Sequence, residues 1–465
     1  MYELDFDRPV RIHFIGIGGI SMSGLAEVVL HRGFTVTGSD NHESDLTKRL
    51  SEEGVEIHIG QRAENIPEEC DLVVFTAAIH ADNPEYAEAV RRGIPMLTRA
   101  ELLGGLMKNY STAIAVSGTH GKTTTTSMVS HILLAADADP TISVGGILPS
   151  IGGNIRVGKS ETFITEACEY TDSFLSFFPT HGIILNVEAD HLDYFGTLEN
   201  VRASFKKFAD LLPEHGRLII SSGIEDVGYF TGDLKCPYLT FNISGDADVT
   251  AGEITWSELA CASFKCFYRG KELGEITLNV PGIHNVSNSL AAIACALSLD
   301  VPFEKIREGL ASFTGTDRRF QILGSAYGAT VVDDYAHHPT EIRACLSTAQ
   351  RYPHKKLWCV FQPHTYTRTA AFLEDFAGAL ALADEVILSD IYAAREVNTI
   401  GVSSGDIVEK IREMGTESRY IPEFEDIAVY LKDKLSPGDL LLTMGAGEAY
   451  KVGTMLMEAS GDHDR

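Results

Sequence analysis

The stretch Ala113-Ile-Ala-Val-Ser-Gly-Thr-His-Gly-Lys-Thr-Thr-Thr-Thr126 decides the fold of this chain. Its apolar start predicts a buried strand, Gly118 and Gly121 predict a tight turn, and Lys122 opens a helical segment. Backbone N–H groups, an ammonium and a hydroxyl would then surround one point, which suits a nucleotide triphosphate with its magnesium. The strict phosphate-loop spacing would need glycine at Val116, so this loop is a shortened variant. The alternative is a Gly/Thr-rich turn that only joins a strand to a helix.

The length and composition bound the class of protein. The 465 residues predict about three domains, and 44% of them are hydrophobic, as in an ordinary soluble protein. No run approaches the roughly twenty apolar residues of a membrane-spanning helix. The segment Met1–Arg8 is acidic and lacks the pattern of a secretory signal, and the eight cysteines are scattered. We therefore expect a cytoplasmic monomer or homodimer with reduced thiols and no membrane partner.

The net charge argues against one class of partner. At −27, the chain would repel a nucleic-acid backbone, so no nucleic-acid partner is expected. Small phosphorylated ligands remain compatible with this charge, provided that local groups hold them against the overall field.

The first hundred residues predict a Rossmann-like domain. Arg11–Ile15 is an apolar strand, the turn Gly16–Ser21 follows it, and the acid Asp40 comes about twenty residues later. A dinucleotide site is one interpretation, although Ser21 replaces the third glycine of that fingerprint. We favour a nucleotide-sugar diphosphate at the turn, and a purely structural turn is the third interpretation. The predicted UDP-sugar contacts are Gly18, Gly19, Ile20, Ser21, Asp40, Thr76 and Ala78.

Polar residues end two strands of the middle third. Glu161–Glu166 predicts a strand whose last carboxylate suits magnesium, although it could also be a surface carboxylate. Gly182–Val187 predicts the next strand, and His191 follows it among three acids, where active sites of parallel sheets form. A lone histidine is more often structural, so both readings of His191 stay open. A further strand from Thr141 is expected to enter a glycine turn at Gly145–Gly146.

Three strings of this chain resemble those of the Mur ligases, the ATP-dependent amide-forming enzymes of bacterial cell-wall synthesis. They are Gly-Thr-His-Gly-Lys-Thr-Thr from Gly118, Asn186-Val-Glu-Ala-Asp-His-Leu-Asp193 and Pro281-Gly-Ile-His-Asn-Val-Ser-Asn288. The segments Ile15–Gly24, Asp333–Ile342 and Phe361–Arg368 resemble the branch of the family that uses UDP-N-acetylmuramate and L-alanine. The resemblance covers essentially the whole chain.

The resemblance implies an α/β fold of three domains. Residues 1–108 would form a Rossmann-like domain for the UDP substrate, and residues 109–316 a central P-loop ATPase-type sheet for ATP. Residues 317–465 would form a Rossmann-like α/β domain that closes on ATP and binds the amino acid. Two Mg²⁺ ions are implied, one held by Thr123 and Glu166 and the other by His191.

The resemblance also implies roles for individual side chains. Lys122 would contact the β- and γ-phosphates of ATP, Asp334 would meet its ribose, and Tyr335 would join the amino-acid site. The implied ATP contacts are Gly118, Thr119, His120, Gly121, Lys122, Thr123, Thr124, Asn285, Asn288, Arg319 and Asp334. The implied catalytic residues are Lys122, His191, Arg319, His337, His364 and Arg368.

Some of these roles have plainer alternatives. Asn285 and Asn288 could cap a helix predicted at Ser289–Leu297. Arg319 could be solvated, although its fork matches the geometry of a γ-phosphate.

Two positions depart from the pattern of the family. Phe205 stands where several Mur ligases carry a lysine that becomes carbamylated, which argues against a later ligase of the pathway. Thr365 stands where many members carry arginine, which leaves an anion-binding role for that position open.

The expected reaction joins L-alanine to the lactyl carboxylate of UDP-N-acetylmuramate through an acyl phosphate made from ATP. A recycling ligase that adds a whole peptide to the same sugar nucleotide is the alternative within the family. An NAD-dependent nucleotide-sugar oxidoreductase and a non-catalytic ATP-driven binding module are alternatives from other classes. Residue types alone do not distinguish L-alanine from glycine or L-serine, because one methyl group discriminates by only about 1–3 kcal/mol.

Overall fold

The computed structural model describes residues 2–76, 78–394 and 396–461. The chain divides into two units. The first contains the residues up to Val187 together with Arg202–Phe241 and Ala291–Ile306, and the second contains Glu188–Val201, Asn242–Leu290 and the residues from Arg307 onward. No helix in the described ranges is both long and apolar enough to cross a membrane.

The N-terminal part of the first unit alternates strands and helices. Its elements are β1 (Arg11–Ile15), α1 (Ile20–His31), β2 (Thr35–Asp40), α2 (Asp45–Glu52), β3 (Glu56–Ile59), β4 (Leu72–Phe75), α3 (Pro84–Arg92), β5 (Met96–Thr98) and α4 (Arg99–Met107). The strands form a parallel sheet in the order β3-β2-β1-β4-β5, with β1 in the centre. The order reverses at β1, so its carboxyl end faces a crevice where nucleotides bind in such sheets.

The rest of the first unit holds the sheet of the phosphate loop. The elements that follow in the chain are β6 (Thr112–Ser117), α5 (Lys122–Ala135), β7 (Thr141–Leu148), β8 (Gly153–Arg156), β9 (Thr162–Glu166), β10 (His181–Ile184), α6 (Leu192–Phe195, in the second unit), α7 (Leu198–Asp210), β11 (Arg217–Ser221), α8 (Val227–Thr231) and β12 (Tyr238–Asn242). Within this unit the strand order is β12-β11-β10-β6-β9-β7-β8. Only the β7–β8 pair is antiparallel among the pairings described for it.

The second unit has an antiparallel meander and a mainly parallel sheet. Its elements are β13 (Val249–Trp256), β14 (Cys261–Tyr268), β15 (Lys271–Pro281), α9 (Ile283–Ser298, which extends into the first unit), α10 (Phe303–Ser312, which begins in the first unit), β16 (Gln321–Ala326), β17 (Ala329–Asp334), α11 (Pro339–Ala349), β18 (Leu357–Phe361), α12 (Tyr366–Ala371), α13 (Leu373–Leu380), β19 (Glu385–Leu388), α14 (Ser404–Glu413), β20 (Glu417–Tyr420), α15 (Phe424–Lys432), β21 (Leu440–Met444) and α16 (Tyr450–Ser460). The sheet order is β16-β17-β21-β18-β19-β20, and only β16 runs antiparallel to its neighbour.

The last sheet is covered by apolar packing on both faces. Cys359 and Phe361 of β18 join one core, whereas Trp358 and Val360 of the same strand join the other. Side chains alternate between the faces of a strand, so an all-apolar strand must be covered twice. This packing explains why β18 has no polar residue. The sheets and helices of both units confirm the predicted α/β fold class.

Two local expectations are wrong. The predicted glycine turn at Gly145–Gly146 is extended backbone, because β7 continues to Leu148 and pairs with β8. The helix that was expected to begin at Ser289 begins at Ile283 instead. Asn285 and Asn288 therefore lie inside α9, and the helix-cap alternative for them is wrong.

Candidate functional site

The turn from β6 into α5 has the backbone that a phosphate loop needs. Gly118 has φ +145° and Gly121 has φ +83°, both in the region that favours glycine. A Cβ atom at Gly118 would also lie 2.8 Å from the Cβ of Leu185, so a larger residue would clash there. Thr123 and Thr124 are buried in the first turn of α5. The loop is thus fixed by backbone conformation at the N-terminus of a long helix, a position that favours anions.

Asn186, just beyond β10, holds the outer side of this loop. Its Oδ1 accepts the N–H of His120 at 2.8 Å, and its Nδ2 donates to the carbonyl oxygen of His120 at 3.1 Å. The backbone N–H of Thr119 donates to the carbonyl oxygen of Asn186 at 3.2 Å. The loop and the end of β10 are therefore joined by three hydrogen bonds.

Lys122 is largely buried and is paired with a carboxylate. Its Nζ lies 2.9 Å from Oε2 of Glu169, whose side chain is 2% exposed. Nζ also donates to the carbonyl oxygens of Gly118 at 2.5 Å and Thr119 at 3.1 Å. Burial alone would lower the pKa of Lys122, but Glu169, together with Cys168 and Glu166, outweighs burial and raises it. The ammonium is therefore charged at neutral pH and held within its own loop.

Glu166 lies beside the first helical turn of α5. Its Oε2 is 3.1 Å from Oγ1 of Thr123, and its Oε1 accepts the N–H of Gly145 at 2.5 Å. A Cβ atom at Gly145 would lie 2.9 Å from Oε2 of Glu166, and one at Gly146 would lie 3.3 Å from Cγ2 of Thr123. The two glycines of β7 thus permit a close approach to this pair of oxygen ligands, which is why a glycine pair occurs in a strand.

The N-terminal turn brings most of the predicted UDP-sugar residues together. Asp40 accepts the N–H of Gly18 at 2.8 Å, and a Cβ atom at Gly16 would lie 2.6 Å from Cγ2 of Thr76. The hydroxyl of Thr76 accepts the N–H of Ala78 at 3.0 Å. The other predicted contacts begin α1, where Gly19 is the N-cap residue and Ile20 is 58% exposed, followed by Ser21. The first turn of α1 carries no acidic residue, so its N–H groups can donate hydrogen bonds to an anion.

Asp190 and Arg368 form a buried ion pair in the second unit. Nη2 of Arg368 lies 3.0 Å from Oδ1 of Asp190, and Nη1 lies 3.1 Å from Nδ1 of His364. His191 Nε2 is 3.7 Å from Oδ2 of Asp190. Burial alone would raise the pKa of Asp190, but the Arg368 guanidinium holds it well below its usual range. Three predicted catalytic residues, His191, His364 and Arg368, therefore meet around one carboxylate.

His337 extends the same cluster. The rings of His337 and His364 have centroids 5.9 Å apart, and Nδ1 of His337 lies 3.0 Å from the carbonyl oxygen of Tyr335. Burial lowers the pKa of both imidazoles to about 4. Both rings are therefore neutral at physiological pH and can donate or accept single hydrogen bonds.

Asp334 ends β17 with its carboxylate tied to the backbone. It accepts the N–H groups of Phe320 and Ala336, each at 2.7 Å. Burial raises the pKa of Asp334 to about 6, although Arg319 opposes the shift. The guanidinium of Arg319 lies over the ring of Tyr335, 5.4 Å from its centroid. Asp334 and Arg319 thus lie in one neighbourhood at the end of this strand.

Asn285 and Asn288 lie together on one side of α9. Nδ2 of Asn288 donates to Oδ1 of Asn285 at 3.0 Å, and Nδ2 of Asn285 donates to the carbonyl oxygen of Pro281 at 2.8 Å. Neither amide caps the helix, so two buried polar side chains in its first turns are left for a further role.

Family models match three consecutive parts of the chain. The Mur ligase family catalytic domain matches residues 11–111, the Mur ligase middle domain matches residues 116–296, and the Mur ligase glutamate ligase domain matches residues 318–447. The chain belongs to the Mur ligase family. The three matched parts give the three domains of the fold, which follow one another in the chain as a Rossmann-like domain, a nucleotide-binding domain and a second Rossmann-like domain.

Similar Mur ligases match over nearly the whole chain. The UDP-N-acetylmuramate–L-alanine ligases of Lachnospira eligens and Agathobacter rectalis are each 55% identical to it, over 98% of this chain and 100% of theirs. The crystal structure of the UDP-N-acetylmuramate–alanine ligase of Thermotoga maritima matches with a TM-score of 0.80 and 31% identity, covering 98% of this chain and 100% of that one. A murein peptide ligase of Psychrobacter arcticus matches in fold, with a TM-score of 0.70 and 24% identity over 98% of this chain and 99% of that one.

The sequence prediction for this Mur ligase missed two carboxylates that the structure places at the cations. Glu169 lies three residues after the predicted ligand Glu166, and Asp190 immediately precedes His191. A pair of acids so close to predicted ligands was the available signal. Phe205, which the resemblance places where several Mur ligases carry a lysine, is fully buried, and its ring centroid lies 5.4 Å from that of Phe174. The neighbouring Lys206 pairs with Asp210 instead.

Proposed function

We propose that this chain joins L-alanine to the lactyl carboxylate of UDP-N-acetylmuramate, with hydrolysis of ATP to ADP and phosphate, in the synthesis of peptidoglycan precursors. The observation that carries the proposal is the 55% identity to ligases of that name over their entire length. The site geometry supports it, because a phosphate loop with a charged lysine and an ordered second cluster of basic residues are both present. We further propose that it works in the cytoplasm, as a monomer or homodimer.

The first step activates a poor acceptor. A carboxylate oxygen of the substrate attacks the γ-phosphorus of ATP, ADP leaves, and an acyl phosphate forms. Lys122 would offset charge on the β- and γ-phosphates, and Arg319 would reach the γ-phosphate with its fork. The rest of ATP would lie against Gly118–Thr124, with the adenine at Asn285 and Asn288 and the ribose at Asp334.

The second step forms the amide bond. The amine of L-alanine attacks the acyl carbon, phosphate leaves with the former carboxylate oxygen, and the amine loses a proton. His337, His364 and Arg368, with Tyr335, would hold the amino acid, since neutral imidazoles and one guanidinium can bind its carboxylate and its amine. The turn from Gly18 to Ser21, with Asp40, Thr76 and Ala78, would hold the UDP group.

The oxygen atoms beside the phosphate loop fit magnesium. Hydroxyl and carboxylate oxygens are the ligands this ion prefers, and those of Thr123 and Glu166 lie 3.1 Å apart. We propose that these two residues hold one Mg²⁺ and that His191 holds a second. Magnesium would neutralise charge on the transferred phosphoryl group.

The test is phosphate release from ATP with purified protein, UDP-N-acetylmuramate and a panel of L-alanine, glycine, L-serine and a tripeptide. We expect release with L-alanine, and a product whose mass equals both substrates minus water. Release that needs no amino acid would contradict amide formation. A preference for the tripeptide would indicate the recycling ligase, and a change in nicotinamide absorbance would indicate the oxidoreductase.

A further inference from the structure

Arg99 is a cation in an unfavourable position. It is the first residue of α4, where the partial positive charge of the helix end repels a basic side chain. It is partly buried, and burial lowers its pKa from the usual value. No carboxylate pairs with it anywhere in residues 2–76, 78–394 and 396–461, and the capping acid Glu101 is bonded to Thr98 instead. Desolvation and the helix end thus oppose the charge of Arg99, and no carboxylate of the described residues offsets them.

The neighbours of Arg99 indicate which kind of group could offset its charge. Its Nη1 donates to Oγ of Ser21 at 3.2 Å, and Ser21 is the second residue of α1. That helix begins at Gly19 without an acidic residue in its first turn. Arg99 also acts electrostatically on the thiol of Cys168, whose neighbour Glu169 holds Lys122. The guanidinium therefore lies beside the first turn of α1, next to the glycine turn of the first domain.

We infer that Arg99 binds the diphosphate of the sugar nucleotide and supplies the positive charge that this turn lacks. The inference rests on the proposed function, because it assumes a nucleotide-sugar diphosphate at Gly18–Ser21. A guanidinium fork matches two phosphate oxygens, and the N–H groups at the start of α1 face the same anion. The phosphate loop contains its own cation, Lys122. The turn Gly18–Ser21 contains none and would take its cation, Arg99, from α4, about eighty residues further along the chain.

The test compares Arg99→Met with Arg91→Met by equilibrium binding of UDP and of UDP-N-acetylmuramate. Arg91 is the matched control, since its exposed side chain pairs with Glu88 at 2.6 Å in the same domain. A charge-assisted pair is worth about 1.5–3 kcal/mol, so Arg99→Met should weaken both ligands about tenfold to a hundredfold. Arg91→Met should leave both affinities unchanged. Arg99→Lys should fall between, because it keeps the charge and loses the fork.

The outcomes separate the inference from its alternatives. Unchanged affinity for UDP in Arg99→Met overturns it, and a loss confined to UDP-N-acetylmuramate overturns it by assigning Arg99 to the lactyl carboxylate. The melting temperature of unliganded Arg99→Met should not fall, because a desolvated charge without a partner is removed; a marked fall would indicate a purely structural role and also overturn it. Failure of the unmodified protein to bind UDP-N-acetylmuramate would instead contradict the proposed function.

Discussion

Two buried ion pairs, one in each unit, hold cations of the candidate site in different ways. Lys122 donates to Glu169 and to two carbonyl oxygens of its own loop, so the three hydrogens of the ammonium all have acceptors. Arg368 directs two nitrogens to one oxygen of Asp190 and a third to His364. The ammonium of Lys122 must therefore give up its present hydrogen-bond acceptors before it can bind a phosphate. The guanidinium of Arg368 instead holds Asp190 and His364 in place.

The difference has a consequence for how each pair responds to substitution. Removing Lys122 should greatly reduce phosphoryl transfer and leave the buried carboxylate of Glu169 without its partner. Removing an arginine that organises a cluster should change the ionisation of a carboxylate and of an imidazole together. The two pairs can therefore be separated by experiments that read activity, stability and pH dependence.

The largest effect is expected from Lys122→Met. Loss of one positioned charge on a transferring group should reduce phosphate release by a factor on the order of 10²–10³. It should also destabilise the protein, because a buried charge without its partner costs about 3–5 kcal/mol and Glu169 is 2% exposed. Phosphate release and the melting temperature measure the two effects.

The double variant Lys122→Met with Glu169→Gln is the control for that experiment. A neutral amide at position 169 removes the stranded charge, so the melting temperature should recover while phosphate release stays low. Near-normal turnover in either variant would contradict a catalytic phosphate loop and would favour the oxidoreductase alternative.

Arg368→Met should destabilise the protein in a pH-dependent way. In the unmodified protein the pKa of Asp190 is depressed, so this pair stabilises the fold above the ordinary carboxylate pKa of about 4 and less as the pH falls below it. Without Arg368, burial raises the pKa of Asp190, and its ionised form is penalised at pH 7. The loss of melting temperature relative to the unmodified protein should therefore be large at pH 7.5 and smaller at pH 5.

Lys410→Met is the matched control for Arg368→Met, because Lys410 pairs with the exposed Glu374 at 2.9 Å in the same unit. Its effect on the melting temperature should be small and similar at both pH values, as for exposed pairs in general. A destabilisation by Arg368→Met that does not change with pH would show that Asp190 is not the group that responds.

Gly145→Ala should weaken the proposed magnesium site with little loss of stability. The new Cβ atom would lie 2.9 Å from Oε2 of Glu166, and the carboxylate at the end of that flexible side chain must move. Disturbing groups that orient a metal ligand typically costs 10- to 100-fold in metal affinity, so the Mg²⁺ needed for half-maximal phosphate release should rise by about tenfold or more. Gly146→Ala meets only a methyl group of Thr123 at 3.3 Å and should have a smaller effect. Equal responses of the two variants would argue against Glu166 as the ligand.

The elements of the fold that could be predicted are those with a local sequence pattern that the structure keeps. Apolar strands that end in glycine turns predicted the elements around Gly16 and Gly118, because a buried parallel strand and a left-handed glycine have few alternatives. Gly145–Gly146 misled the prediction, since glycine also serves where another side chain approaches a strand closely. Whether glycine marks a turn or a close approach depends on Glu166, a neighbour from another strand.

The site was predictable to the extent that its residues lie in contiguous strings. The two cations of the candidate site, Lys122 and Arg368, lie in such strings. Their partners Glu169 and Asp190 were not predicted, because each follows a strand in a loop whose path decides where the carboxylate goes. Thr171, two residues after Glu169, and His191, directly after Asp190, both have positive φ, and such turns cannot be derived from spacing. Arg99 was missed because neither its hydrogen bond to Ser21 nor the lack of a carboxylate beside it among the described residues can be derived from a contiguous string.

The smallest effect is expected from His364→Gln, which should leave the shape of the pH profile of kcat/KM unchanged. Burial and Arg368 lower the pKa of His364 to about 4, so its imidazole stays neutral between pH 5.5 and 8.5 in round terms. The profiles of kcat/KM for L-alanine should therefore be parallel in this range for the unmodified protein and His364→Gln, even if the variant is slower throughout. An ionisation near pH 6.5 that disappears in His364→Gln would contradict this expectation. It would mean that the Arg368 guanidinium does not face His364 in solution as it does in this structure. The Arg368–Asp190 pair would then exchange partners as readily as the Lys122–Glu169 pair.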